Sequence, residues 1–221
     1  MLSIYSVVSI GVWNMNNKSA IFLIFGSFNP PTIAHRKMCN EVNKYRSLYD
    51  YIVFVPAKNE YLRSDWKKQD KILDIETRVK LLQDCIDVPQ CNVSDCEKRL
   101  SGNTYDTVQY FKEKYPEKSV CIVLGADNLT YMNKWYKWEN LVKENCFLVF
   151  QRSGNTVNEL LPDFLRPYKD RFTFVPFDMA DCSSTRVREA IKNNNWETVK
   201  KLTPINVYLY LKENPTWTQQ N

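Results

Sequence analysis

AIFLIFGSFNPPTIAH, residues 20–35, decides how the rest of this chain is read. An uninterrupted apolar run from Ile21 to Phe25 stops at Gly26, crosses a short polar and proline turn, and opens a helical pattern at Thr32. An apolar run of that length, bounded by turn residues, predicts a strand buried on both faces. Gly26 lets the backbone come close to whatever lies over the strand end. Thr32 and His35 are three apart and share one face of the following helix. His35 is also the only histidine in the chain. A strand whose carboxyl end feeds a helix N-terminus is where open α/β sheets hold phosphates.

The same alternation continues outward from this stretch. Met38, Val42, Tyr45 and Leu48 keep helical spacing, and YIVFVP (residues 51–56) predicts a second strand stopped by proline. Asp74 caps a helix whose apolar stripe is Ile75, Val79, Leu82 and Ile86. Residues 91–93 form a short strand candidate. A helix then starts between Ser101 and Thr104 and buries Val108, Phe111 and Tyr115. Further strands are expected at residues 120–124, 146–150 and 171–175, with a tryptophan-rich helix from Trp135 to Lys143 and a short helix near residues 160–165. The tail reads as helices, with Thr203 and Pro204 as the cap and first position of the last. Strands alternating with helices imply a parallel sheet with right-handed crossovers. The expected fold is α/β, a doubly wound, Rossmann-like sheet flanked by helices, with a helical C-terminal part.

Composition narrows the function classes. The 221 residues are 44% hydrophobic and 25% charged, ordinary values for a globular chain. A net charge of +5 suits an anionic ligand and is too mild for a nucleic-acid binder. Seven cysteines without a C-x-x-C pair, beside one histidine, speak against a disulfide framework and a zinc site. Reduced thiols fit a cytoplasmic or nuclear protein. The apolar part of residues 1–18 is too short to span a bilayer, which needs about 20 residues, and it lacks the pattern of a secretory signal. Residues 1–18 are therefore read as an extension with no assigned role, ahead of one domain over residues 19–221; no membrane partner is expected.

GSFNPPTIAH resembles the G-[ST]-F-[DN]-P-x-[HT]-x-x-H signature of the nicotinate and nicotinamide mononucleotide adenylyltransferase family. The resemblance implies transfer of the AMP part of ATP to a pyridine mononucleotide, in NAD biosynthesis. It casts His35 and Thr32 as catalytic contacts to the ATP phosphates, with Gly26, Ser27 and Phe28 giving close backbone access. CSSTRVREAI, residues 182–191, resembles the family's I-S-S-T-x-[IV]-R signature, with Cys182 where isoleucine is usual. By that match Ser183, Ser184 and Thr185 face the phosphates, Arg188 joins the catalytic set, and Arg186 occupies the variable position as a second ATP-binding arginine.

GADNLTYMNKWYKWENL, residues 125–141, resembles the family's G-x-D…W segment, which implies Gly125 and Asp127 at the ribose and Trp135 stacked on the pyridine ring. SGNTYDTV, residues 101–108, resembles a segment whose helix start holds a nicotinate carboxylate, here with Thr104 and Tyr105 in reversed order. The loop AKNEYLRSDWKKQD, residues 57–70, resembles the family's basic mononucleotide-binding loop in its eukaryotic form, with Lys67 and Lys68 as candidates for the attacking phosphate and Arg78 as a further one. Mg²⁺ is implied as an ion carried by substrate phosphates, with no metal site in the protein itself. Other small-molecule nucleotidyltransferases, such as the phosphopantetheine adenylyltransferases, share the histidine motif, and a non-catalytic nucleotide-binding module shares the fold. Trp135 after GAD argues against the first, and the joint presence of His35, Thr32 and Arg188 against the second. The sequence leaves open nicotinate against nicotinamide and association into a homo-oligomer.

Overall fold

Strands that are apolar on both sides leave a sheet no solvent face, and helices must cover it twice. The computed structural model describes residues 19–44, 49–64, 72–86, 88–151, 161–177 and 181–214. Its strands are β1 (Ala20–Gly26), β2 (Tyr49–Pro56), β3 (Cys91–Val93), β4 (Ser119–Gly125), β5 (Cys146–Gln151) and β6 (Phe172–Pro176). They form one six-stranded sheet in the order β3-β2-β1-β4-β5-β6, with every neighbouring pair parallel. The chain winds outward from β1 to β3, crosses back to β4 and winds outward again to β6. This is the doubly wound, Rossmann-like α/β fold that the sequence predicts. Its direction reverses between β1 and β4, and ligands of such sheets bind beyond the carboxyl ends of the strands at that point. Ile24 pairs with Val123, so Gly26 and Gly125, each two residues on, end level with one another.

Alternation along the strands divides the core. Ile21 and Leu23 of β1 face α4 (Thr104–Lys114) and α5 (Trp138–Glu144), packing with Val108, Phe111, Leu141 and Val142. Phe22 and Ile24 face α1 (Ile33–Asn43) and α3 (Ile75–Cys85), packing with Cys39, Val42 and Leu82. A short α2 (Asn59–Ser64) follows β2. Helix α3 has a second apolar side: Leu81 packs with Val187 and Ile191 of α6 (Ser184–Lys192), Val199 of α7 (Trp196–Leu202), and Val207 and Leu211 of α8 (Ile205–Glu213). The C-terminal helices thus dock on α3, which brings the start of α6 to the β1 loop.

Several local expectations are corrected. The segment 126–134 is a 3-10 helix, Lys137 takes the left-handed region at φ 49°, and α5 begins only at Trp138, so Trp135 stands outside a helix. The Asn128 amide donates to the Gly125 carbonyl at 3.1 Å, a local bond of the kind that competes with a regular helix start. The short helix expected near residues 160–165 is a 3-10 segment over Asp163–Arg171, where Pro167 removes a backbone donor. The Thr203 hydroxyl donates to the Val199 carbonyl at 2.7 Å and closes α7, while Pro204 takes the cap position of α8. In α3 the buried residues are Ile75, Arg78, Leu81, Leu82 and Cys85, so Arg78 displaces Val79 from the buried stripe. Tyr45, Leu48, Lys67 and Lys68 lie outside the described residues.

Candidate active site

The loop from Gly26 to Thr32 begins with an aromatic ring folded back on the strand. Phe28 is buried at φ 47°, a conformation that costs a non-glycine residue about 1–2 kcal/mol. Its ring packs edge-on against His35 at 4.9 Å and Phe54 at 5.4 Å between centroids. A Cβ on Gly26 would stand 2.8 Å from Phe28 Cζ. The close approach that glycine permits here is therefore made by Phe28. The Asn29–Pro30 peptide is cis, and the buried Asn29 side chain accepts from the Leu73 N–H at 3.0 Å.

Thr32 caps α1 in an extended conformation and forms a capping box with His35. The Thr32 N–H donates to His35 Nδ1 at 2.9 Å, and Thr32 Oγ1 lies 3.1 Å from the same nitrogen. With Nδ1 an acceptor, the neutral ring carries its proton on Nε2. Burial lowers the His35 pKa from 6.5 to about 4, so the ring is a neutral hydrogen-bond donor at pH 7.

Helix α6 converges on the same loop. Ser183 caps it, accepting from the Arg186 N–H at 3.1 Å. The Ser184 hydroxyl donates to the Pro30 carbonyl at 2.8 Å. Arg188 donates from Nη1 to the Asn29 carbonyl at 2.8 Å and from Nη2 to Thr185 Oγ1 at 3.1 Å. Arg186 is exposed and pairs with Asp181 at 3.3 Å. The two sequence motifs, about 150 residues apart, thus share one loop. Ser184 gives its proton to Pro30 and so ties α6 to the loop.

Arg78 has a different place from the one its charge suggests. Its side chain is 0% exposed. Nε donates to the Leu73 carbonyl at 2.9 Å and Nη1 to the Ser27 carbonyl at 2.8 Å; Nη2 donates to the Ala57 carbonyl at 2.7 Å and to Asn59 Oδ1 at 2.6 Å. With its nitrogens so engaged inside the protein, Arg78 is removed from the candidates for the attacking phosphate. Burial lowers its pKa to about 10, which keeps it charged at neutral pH.

At the end of β4, Asp127 is exposed and its carboxylate folds back over Gly125, 2.6 Å from where a Cβ would stand. Trp135 is half-buried against the core. The next residue, Tyr136, meets Tyr105 of α4 edge-on at 6.2 Å, with the Lys137 ammonium over both rings. Tyr105 and Trp135 both pack against the same core cluster, and Thr104 is the first residue of α4. Trp138 packs on Phe164 at 5.3 Å. Asp106, in the first turn of α4, accepts from Ser101 and Asn103. Sequence reasoning missed Asn29 and Glu97. Glu97 is buried, its carboxylate accepts from the Thr107 hydroxyl, and burial raises its pKa. Asn29 fills the [DN] position of the first signature, but its partner Leu73 lies elsewhere in the chain; Glu97 lies in no motif and its partner Thr107 is on α4. Among the described residues no group of three or more His, Cys, Asp or Glu could hold a metal ion.

A model of the cytidylyltransferase-like family matches residues 23–190. A Bacillus pumilus protein named "Probable nicotinate-nucleotide adenylyltransferase" is 31% identical over 196 residues, covering 87% of this chain and 95% of its own. The chain belongs to the cytidylyltransferase-like family, among the nicotinate-nucleotide adenylyltransferases. Another member of that group, from Staphylococcus saprophyticus and named likewise, is 29% identical over 88% of this chain and 95% of its own. The fold is shared with Plasmodium falciparum nicotinic acid mononucleotide adenylyltransferase complexed with NaAD: TM-score 0.73, 18% identity, 90% of this chain and 97% of that one.

Two outcomes follow from this geometry. Gly26→Ala forces the Phe28 ring off its seat and should lower unfolding free energy by about 1–3 kcal/mol, read from urea melts; an unchanged midpoint would show that Phe28 can move at no cost. His35 binds a proton less readily folded than unfolded, so its contribution to stability is constant above about pH 6.5 and falls as pH drops towards 4. Urea midpoints across that range should slope less in His35→Gln than in the unaltered chain; equal slopes would mean that His35 titrates normally.

Proposed function

We propose that this chain transfers the adenylyl group of ATP to nicotinate mononucleotide, giving the deamido form of NAD and pyrophosphate. The observation that carries this is the meeting of the His35 segment and α6 on the Asn29–Pro30 loop, at the reversal point of the sheet. An oxygen of the mononucleotide 5′-phosphate attacks the α-phosphorus of ATP, and the bond from that phosphorus to the bridging oxygen breaks. The nucleophile is already an anion, so no base is needed. Catalysis reduces to positioning and to donors aimed at developing negative charge. His35 supplies a neutral Nε2–H, and Arg188 supplies positive charge against the same loop. Mg²⁺ fits as an ion held by the phosphates and water, where it neutralises charge on the leaving pyrophosphate.

On the acceptor side, Trp135 stacks on the pyridine ring and the start of α4 receives its substituent. A helix N-terminus favours a carboxylate, which agrees with the names of the relatives. Asp106 favours a second reading: an anion already in that first turn opposes a second one and suits the neutral carboxamide of nicotinamide mononucleotide. Residues 19–221 are read as one catalytic domain. The seven free thiols agree with a reducing compartment, cytoplasmic or nuclear. No described helix is long and apolar enough to cross a membrane.

The test is pyrophosphate release from ATP and Mg²⁺ with each mononucleotide in turn. Preference for the nicotinate form supports the main reading, and preference for nicotinamide supports the second. No release with either would turn attention to other nucleotidyltransferase substrates. Trp135→Ala is expected to raise KM for the mononucleotide roughly tenfold, a typical loss for a stacked ring, with KM for ATP little changed. A change confined to ATP would place this tryptophan in the other pocket.

A further inference from the structure

Arg78 is a fully buried cation whose hydrogen bonds all go to uncharged oxygens. No carboxylate among the described residues stands within ion-pair distance of it; Asp74 and Glu76 act on its charge only through space. A cation buried for stability alone is best served by a carboxylate or replaced by an apolar side chain. Three of its four acceptors are backbone carbonyls, and two of those, from Ser27 and Ala57, lie just beyond the carboxyl ends of β1 and β2.

Peptide planarity gives these two bonds a consequence. In a trans peptide the C=O and the following N–H point in opposite directions, and the Ser27–Phe28 and Ala57–Lys58 bonds are both trans. Pulling the two carbonyls onto a buried guanidinium turns the Phe28 and Lys58 N–H groups away from it. The two peptides are also tied together, since the Ala57 N–H donates to the Gly26 carbonyl at 2.9 Å. Left unclamped, the same carbonyls would present negative partial charge to an arriving anion.

We propose that Arg78 is a positioning residue for nucleotide phosphate binding: it withdraws the Ser27 and Ala57 carbonyls and so aims the Phe28 and Lys58 N–H groups at the phosphates. This deepens the adenylyl-transfer reading and rests on it. Its charge, which no carboxylate among the described residues contacts directly, adds to the potential that an anion meets at the strand ends. Lysine at this position keeps the charge but lacks the planar fork that holds several carbonyls at once.

The experiment compares the full-length chain with Arg78→Lys, at a temperature where circular dichroism shows both folded, by calorimetry with α,β-methylene-ATP and with adenosine. The variant should bind the triphosphate about tenfold more weakly or worse, the loss expected for displaced hydrogen bonds to a charged group, and adenosine unchanged. A merely structural role would weaken both ligands alike or neither, and an unaltered ratio of the two affinities in the folded variant overturns the proposal. Should the variant fail to fold, the unaltered chain labelled with ¹⁵N-phenylalanine decides. The Phe28 amide must shift on adding the triphosphate analogue and hold still with adenosine; a Phe28 amide that ignores the phosphates overturns it. These readings need no mononucleotide, so failed pyrophosphate release would count against the adenylyl-transfer reading alone.

Discussion

A carbonyl oxygen withdrawn from water must find a donor, and between Gly26 and Thr32 that requirement is met almost entirely from elsewhere in the chain. Gly26 receives the Ala57 N–H, Ser27 receives Arg78, Asn29 receives Arg188 and Pro30 receives Ser184. Two prolines in the loop leave it few donors of its own, so it has no means of closing on itself. Its shape is set by two helices, α3 and α6, and by the residue that follows β2.

Helix α3 is the common support for these contacts. One side of it seals the sheet through Leu82, another carries the C-terminal helices through Leu81, and its first turn sends Arg78 beneath the strand ends. An amphipathic helix ordinarily has one apolar stripe facing one core. Here two stripes and a buried cation share eleven residues, which is why a single-stripe reading of Ile75, Val79, Leu82 and Ile86 captured the helix and misplaced its inward face.

What the sequence made legible was whatever is written in local periodicity. The apolar runs at Ile21, Ile52, Val120 and Phe147 are strands, and Asp74 is a cap, because each signal spans only a few residues. The motif residues His35, Thr32 and Arg188 were also legible, and they meet at one loop. Ser184 as a latch and Arg78 as a clamp were not, because their partners lie 154 and 51 residues away. The WYKWENL stretch misled for a different reason. Its aromatic spacing suits a helix, yet Lys137 breaks the run in the left-handed region and sets Trp135 apart. Thr203 misled because its hydroxyl serves the helix before it.

The dependence of the β1 loop on α6 also orders events in time. Ser184 and Arg188 reach back over more than 150 residues to Pro30 and Asn29, and contacts of that separation form late in folding. A ribosome supplies residues from the N-terminus onward. The parallel sheet can therefore assemble on a nascent chain while its nucleotide mouth still lacks two of its fastenings. The β1 loop takes its final shape only when α6 emerges and docks on α3, so a late-made part of the polypeptide fastens a loop made early.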